Sequence, residues 1–432
     1  MLHAQNPRQI AARVLSQRLT SGDFTENLLE TALATAGLSP SDRSLCHELV
    51  CGVVRWQAAL DRLIARKTSP GREQRPALQN LLRLGLYQIF WLDRIPPHAA
   101  VHETVEQAKR AGYIQQSGFI NAVLRSYLRE TDEIKKILTD MKTSQPAIGW
   151  SHPEWLVEKW RRNFGDQNTY HLLEWNNKPP ATFARINTIK TDAHQLMDRW
   201  REETVDFASI SRDWTGENLA FELKSHPSLN SLPSLRDGWF YVQDPSTLLA
   251  PILVDAQPGE TILDLCAAPG GKTTFLAQLM KNTGTIIACD IDTNRLKLVK
   301  ENSSRLGISM IQTCLPTSLQ RESTAFDRIL VDAPCSNTGV MRRRVDLRWR
   351  ISPEEILRLQ KTQLELLKQA ATKLKPAGIL IYSTCSLEPE ENSEVVRHFL
   401  AEHPSFTLEA ERQLLPFTNN VDGAYVARLK RH

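Results

Sequence analysis

The chain has seven cysteines but no Cys-x-x-Cys pair. That pattern argues against both a zinc ribbon and a disulfide framework, so no metal is expected and a reducing cytoplasm is the natural setting. No apolar run approaches the roughly 20 residues that a membrane-spanning helix needs. The opening Met1-Leu2-His3-Ala4-Gln5-Asn6 lacks the basic-then-apolar order of a signal peptide. No heptad repeat or obvious apolar edge is present, and a monomer is expected. What remains is an ordinary globular composition, 41% hydrophobic and 24% charged, over 432 residues, enough for two or three domains.

Charge is unevenly spread. Residues 1–150 hold 19 Lys+Arg against 14 Asp+Glu, so the whole positive excess of the chain (net +4) lies in its first third. Alone, that is a weak pointer to a nucleic-acid partner. A second basic concentration spans Met341 to Arg350, with five arginines in ten positions. It starts six residues after Cys335, which makes a grip on phosphates as reasonable as a solvated surface.

Residues 6–140 read as helices. Ile10, Val14 and Leu15 share one stripe, as do Leu45, Leu49, Val53 and Val54, and Pro96-Pro97 breaks the pattern before Val101, Val105 and Ala108 resume it. Residues 141–240 hold seven of the ten tryptophans, expected mainly in packing. Ser151-His152-Pro153-Glu154 is placed to cap a helix, and Thr182–Asn187 alternates like a strand, so this stretch reads as a small mixed α/β module.

From about residue 241 strands alternate with helices. Strands are expected at 261–266, 285–290, 310–314, 327–332 and 379–384, and helices at about 272–281, 293–306, 353–375 and 391–401. Ser352-Pro353-Glu354-Glu355 has a capping serine, a first-turn proline and a glutamate at the third position. A run of βα units implies a doubly wound, Rossmann-like parallel sheet. A closing hairpin is expected around Asp422-Gly423.

The first strand-to-helix turn runs Leu263-Asp264-Leu265-Cys266-Ala267-Ala268-Pro269-Gly270-Gly271-Lys272-Thr273. It lacks the glycine that a phosphate-binding P-loop needs, because Cys266 stands there, and no G-x-G-x-x-G occurs. Without either phosphate cradle, a nucleoside-type pocket is the remaining reading. Asp290 ends the second strand, 20 residues after Gly270, where ribose hydroxyls are bound in doubly wound folds. Asp292 fits a helix cap better. Cys335 and Cys385 each follow an apolar strand, 329–332 and 379–382, and strand carboxyl ends are where reactive groups collect. Cys46, Cys51, Cys289 and Cys314 read as packing residues.

Four ordered stretches span residues 263–392: Leu-Cys-Ala-Ala-Pro-Gly-Gly-Lys-Thr, Cys-Asp-Ile-Asp, Val-Asp-Ala-Pro-Cys-Ser-x-Thr-Gly-Val and Tyr-Ser-Thr-Cys-Ser-x-x-Pro-Glu-Glu-Asn. Together they resemble the motifs of the RNA 5-methylcytosine methyltransferases. The helical first domain resembles that of the antitermination factor NusB, a coupling typical of the ribosomal RNA branch of that family (RsmB, Sun or Fmu). The resemblance implies three parts: a NusB-like helical RNA-binding domain over 1–140, a mixed α/β RNA-binding module over 141–240, and a methyltransferase domain over 241–432.

It also implies S-adenosylmethionine as cofactor and small-subunit ribosomal RNA as partner. Cys266, Ala267, Ala268, Pro269, Gly270, Gly271 and Lys272 would wrap the cofactor, Asp290 would hold its ribose, and Asp332 would lie between cofactor and base. Cys385 would attack carbon 6 of a cytosine to make carbon 5 reactive, and Cys335 would aid release. Asp332, if protonated, and Lys272 would support the base. Arg342, Arg343, Arg344, Arg348 and Trp349 are candidates to hold the RNA backbone. The family's usual aspartate after the third strand is missing from Met310–Pro316; Thr313 or backbone would replace it. The alternatives are transfer RNA as substrate, or a binding protein that no longer catalyses.

Overall fold

The computed structural model describes residues 6–68, 74–321 and 325–432, so Met1–Gln5 of the opening lie outside the described residues. The chain divides into two compact units, one of residues 1–178 with 341–350, the other of residues 179–340 with 351–432.

The first unit is helical among its described residues, from Pro7–Gln17 through Pro40–Arg55, Pro76–Trp91 and Pro97–Arg110 to Glu154–Asn177. The apolar stripes face inward: Ile10, Val14, Leu49, Val53, Leu82 and Leu86 are buried. Four of these five helices begin with proline at the first turn, where its missing N–H costs nothing. The expected Ser151 cap is absent. The backbone at Ser151 turns left-handed (φ 52°), its hydroxyl accepts from the Ala59 N–H at 3.0 Å, and the helix starts after Pro153 instead.

The second unit holds two sheets. The smaller joins β1 (Thr182–Ile186), β2 (Asp206–Arg212), β3 (Gly216–Ser225) and β4 (Phe240–Val242) in the antiparallel order β2-β3-β1-β4. Helix Ala193–Glu202 closes a core of Leu196, Trp200, Phe221 and Phe240 with it. Trp150, Trp160, Trp200 and Trp214 are buried.

The larger sheet contains β5 (Thr261–Leu265), β6 (Thr285–Cys289), β7 (Ile311–Cys314), β8 (Phe326–Asp332), β9 (Leu374–Thr384), β10 (Phe406–Leu414) and β11 (Ala424–Arg431), in the order β10-β11-β9-β8-β5-β6-β7. β5 to β9 are parallel; β11 and β10 add antiparallel to β9, so the sheet is mixed at one end. β10 and β11 form the closing pair, but residues 415–423, including a helical turn at Pro416–Asn419, connect them in place of a tight turn. Successive strand residues face opposite sides, and both sides are covered. Leu263, Ile329, Leu380 and Tyr382 enter one core, and Ile262, Leu330, Ile379 and Ile381 enter the other. That is why these strands read as unbroken apolar runs.

Strand order reverses between β5 and β8. Beside such a switch point the strand ends splay their loops apart and leave a crevice. The ends of β5, β6, β8 and β9 deliver Cys266, Asp290, Asp332 and Cys385 to one edge of the sheet.

Candidate active site

β8 and β9 run parallel with Asp332 opposite Ser383, and the Ala333 N–H donates to the Ser383 carbonyl at 2.9 Å. That register carries the loop after each strand to the same place. Cys335 Sγ lies 3.2 Å from Cys385 Sγ, and the Cys385 thiol donates to Asn337 Oδ1 at 3.0 Å. The Gly339 N–H donates to the Cys385 carbonyl at 2.9 Å. A Cβ at Gly339 would stand 2.7 Å from that carbonyl oxygen, so only glycine permits this approach. Its hydrogen bond to Cys385, and after that its burial, hold the Cys335 thiol well above the ordinary thiol range. Cys335 therefore keeps its proton and can offer it to its neighbour.

At the base of the two loops Lys272 Nζ donates to Asp332 Oδ2 at 2.6 Å. Burial alone would depress the Lys272 amine, but the charge and hydrogen bond of Asp332 outweigh it and the amine is raised. Lys272 thus stays an ammonium. Asp332 Oδ1 has no partner among the described residues and remains open to a ligand donor.

The loop after β5 turns through Cys266 (φ 62°) and Gly270 (φ 100°) before helix Gly271–Leu279 begins. A Cβ on Gly270 would lie 3.3 Å from the Val299 Cα, so the loop runs hard against helix Thr293–Leu306. Burial first, then Asp332, Asp290 and Asp264, push the Cys266 thiol up to about 12. It is a neutral lining group. Asp290 Oδ2 accepts from the Ala268 N–H and Oδ1 from the Asp292 N–H, each at 3.1 Å. A carboxylate has about four acceptor positions; with the Arg295 guanidinium 3.6 Å from Oδ2 as an ion pair, the second position on Oδ1 is left for a ribose hydroxyl. Asp292 caps helix Thr293–Leu306, accepting from the Asn294 and Arg295 N–H groups. Beside Asp290, Ile291 is 84% exposed, an apolar face for a flat ring. Leu315 alone separates β7 from helix Pro316–Arg321, with no acidic residue between them.

Two contributors were not singled out from the sequence. Asp264, within β5, is fully buried; burial raises its carboxyl to about 7, against the lowering bond from Thr273 Oγ1 (2.6 Å). Its Oδ1 is buried without a partner. A carboxyl inside an apolar strand was the available signal. Arg185 of β1 is also fully buried and has no carboxylate partner among the described residues. It donates to the Gly271 carbonyl at 2.8 Å, to Thr274 Oγ1 at 3.2 Å and to Gln243, and its guanidinium lies 4.8 Å from the Phe275 ring centroid. It ties the small sheet to the start of helix Gly271–Leu279. Nothing in the alternating pattern of β1 marked it.

S-adenosylmethionine presents an ammonium, a ribose diol and a flat purine. The unpartnered Asp264 oxygen, the open acceptor position of Asp290 and the exposed Ile291 match these three in kind, so the residues fit the cofactor.

The arginine segment 341–350 differs from expectation. It packs with the helical unit. Arg348 has no exposed surface and donates to the carbonyls of Arg55, Ser151 and Asn176 and to Asn177 Oδ1, at 2.9–3.3 Å. Arg342 is buried over the Trp175 ring at 3.9 Å, and the Trp349 indole N–H donates to the Val54 carbonyl at 2.8 Å. A guanidinium must be reachable to hold a phosphate, so Arg342 and Arg348 are corrected from RNA contacts to structural residues, and the Trp349 N–H is likewise committed inside the unit. Arg343 is half-buried and Arg344 exposed.

The model described as 16S rRNA methyltransferase RsmB/F matches residues 251–430, the NusB family model residues 5–129, and the RsmF/B-like ferredoxin-like domain residues 152–213. The probable ribosomal RNA small subunit methyltransferase B of Bacillus subtilis is 32% identical over 98% of both chains. The ribosomal RNA small subunit methyltransferase B of Vibrio vulnificus is 35% identical, over 98% of this chain and 99% of its own. A solved methyltransferase homolog from Pyrococcus horikoshii is 30% identical, covering 66% of this chain and 97% of its own with a TM-score of 0.58. With relatives this similar over nearly its full length, the chain belongs to the RsmB/F family of 16S ribosomal RNA methyltransferases.

Proposed function

We propose that this S-adenosylmethionine-dependent ribosomal RNA methyltransferase modifies carbon 5 of a cytosine through a transient bond from Cys385 to carbon 6, and that Cys335 assists release. The observation that carries the reading is the pair of sulfurs 3.2 Å apart beside the Lys272–Asp332 pair. A single thiol at a strand end is commonplace; two in contact, one of which holds its proton firmly, divide into an attacking and a releasing role.

Carbon 5 of cytosine is a weak nucleophile. Attack by the Cys385 sulfur at carbon 6 breaks the 5,6 double bond and makes carbon 5 enamine-like. When bound, S-adenosylmethionine supplies an electrophilic methyl group. Asp332 Oδ1 faces the donors of the base, and the Lys272 ammonium holds Asp332 in place. Afterwards water takes the hydrogen on carbon 5 as a proton, the double bond re-forms, and the Cys385 sulfur departs as the thiolate that attacked, with the Cys335 S–H donating a hydrogen bond to it. The balance is one hydrogen on carbon 5 exchanged for one methyl, with one proton released.

RNA is held in this reading by the helical first domain and by Arg343 and Arg344. Cytosine must leave its stack or come from an unpaired loop, at a cost of a few kcal/mol.

The test uses small-subunit ribosomal RNA carrying tritium at cytosine carbon 5. Tritium should pass to water in step with methyl incorporation. Methyl incorporation without tritium release would place the reaction at another atom, and activity on transfer RNA alone would replace the substrate.

A further inference from the structure

We propose that Glu391 is the positioning residue of the two-thiol site, holding the Cys335 loop and the Cys385 loop together through one carboxylate. The inference rests on the two-thiol reading above, and it concerns a residue that neither attacks nor protonates the base.

Glu391 is fully buried, with no lysine, arginine or histidine paired to it among the described residues. A buried carboxyl group is costly unless its oxygens are hydrogen-bonded. Here every donor belongs to the thiol loops or to the helix behind them. Oε1 accepts from the Ser336 N–H at 2.8 Å and from Gln363 Nε2 at 3.0 Å. Oε2 accepts from the Ser386 hydroxyl at 2.5 Å and from the Ser336 hydroxyl. Ser336 directly follows Cys335, and Ser386 directly follows Cys385. One side chain therefore spans both loops, one residue away from each sulfur-bearing position.

The surroundings reinforce the tie. Gln363, in helix Pro353–Lys373, also donates to the Pro334 carbonyl at 2.9 Å, so the residues on both sides of Cys335 are fixed. Asn392 Oδ1 accepts from the Thr384 hydroxyl at 2.6 Å, and its amide donates to the Ser386 carbonyl at 2.9 Å, fixing both sides of Cys385. The Tyr382 hydroxyl donates to the Glu391 carbonyl at 2.5 Å, which anchors Glu391 to β9. An alanine at 391 would leave the two serine hydroxyls, the Ser336 N–H and the Gln363 amide without their shared acceptor, and the loops would lose their common reference.

The test compares wild type, Glu391→Ala and Glu391→Gln as full-length proteins, with folding checked by thermal melting. The first readout needs no RNA. Diamide takes two electrons and two protons from a pair of neighbouring thiols, leaving a disulfide and the reduced hydrazine. Peptide mapping then follows the Cys335–Cys385 bond as a ruler of their separation. Glu391→Ala should form that disulfide at least about tenfold more slowly, because closeness is what accelerates it. The second readout is the kcat-against-KM split: kcat should fall by about 100-fold through misplacement of the thiols, with KM for S-adenosylmethionine within about twofold. Glu391→Gln is isosteric and preserves folding if the alanine variant does not. It turns one acceptor oxygen into a donor facing two hydroxyls, and should shift both readouts in the same direction by about a third of the alanine effect on a logarithmic scale. A folded variant with wild-type disulfide rate overturns the proposal, whether or not kcat changes. Full activity of Cys385→Ala would instead overturn the two-thiol reading and leave the disulfide result standing.

Discussion

Cys335 and Cys385 present their sulfurs 3.2 Å apart although fifty residues separate them in the chain. The parallel register of β8 and β9, with Asp332 opposite Ser383, brings them together, and neither loop alone would do so. The bond to Cys385 and burial hold the proton on Cys335, and the proposed division of labour between the two thiols rests on this contact.

The Cys385→Ala variant should lose methyl transfer altogether and form no covalent RNA complex. Cys335→Ala should attack normally and release slowly, so an RNA–protein species resistant to denaturant should accumulate on a gel. A Cys335→Ala protein that turns over without that species would remove the release role.

Cys266 lines the same crevice. With its thiol pushed up to about 12, only about one molecule in ten thousand carries the thiolate near pH 8. Iodoacetamide should therefore leave Cys266 unmodified over minutes at that pH, although it is only partly buried. Rapid labelling at Cys266 would contradict the electrostatic reading of the loop.

Asp264 gives a pH dependence with a definite sign. Its carboxyl is raised from 3.8 to about 7 in the fold, first by burial. The protonated form is thus favoured in the native state, and the stabilisation is complete below about 4 and lost as pH rises through about 7. Over that window the slope is at most about 1.4 kcal/mol per pH unit. Asp264→Asn should flatten this part of the stability curve measured by denaturant unfolding of the cofactor-free protein. An unchanged slope would refute the assignment.

The arginine segment separates two kinds of residue. Arg348→Ala leaves several buried carbonyls without donors and should destabilise the helical unit by about 3 kcal/mol or more. Arg344→Ala should leave melting unchanged, weaken RNA binding modestly and reduce its salt dependence by about one ion. If Arg348→Ala melts like wild type, its buried network is not what holds the segment.

Much of this architecture was legible in the residues. Periodicity placed β5, β6, β7 and β8 to within a residue and β9 from its sixth residue on, missing Leu374–Gly378; in β5, β8 and β9 burial on both faces leaves apolar runs between polar turns. Ser352 caps its helix as read, accepting from the Glu355 N–H at 3.3 Å. Arg348 was misread for a physical reason: five arginines in ten positions signal surface, and composition cannot show that one guanidinium has four buried acceptors waiting. Glu391 was hidden in an acidic run, since its partners Ser336, Gln363 and Ser386 are joined to it only by tertiary folding. Arg185 lies in an ordinary alternating strand, and its bond to the Gly271 carbonyl crosses 86 residues of chain.

The most direct measurement is bisulfite sequencing of small-subunit ribosomal RNA from cells with and without this protein, and with Cys385→Ala in its place. The account predicts one cytosine that is protected only when the wild-type chain is present. Protection that persists without the chain, or survives with Cys385→Ala, would contradict it.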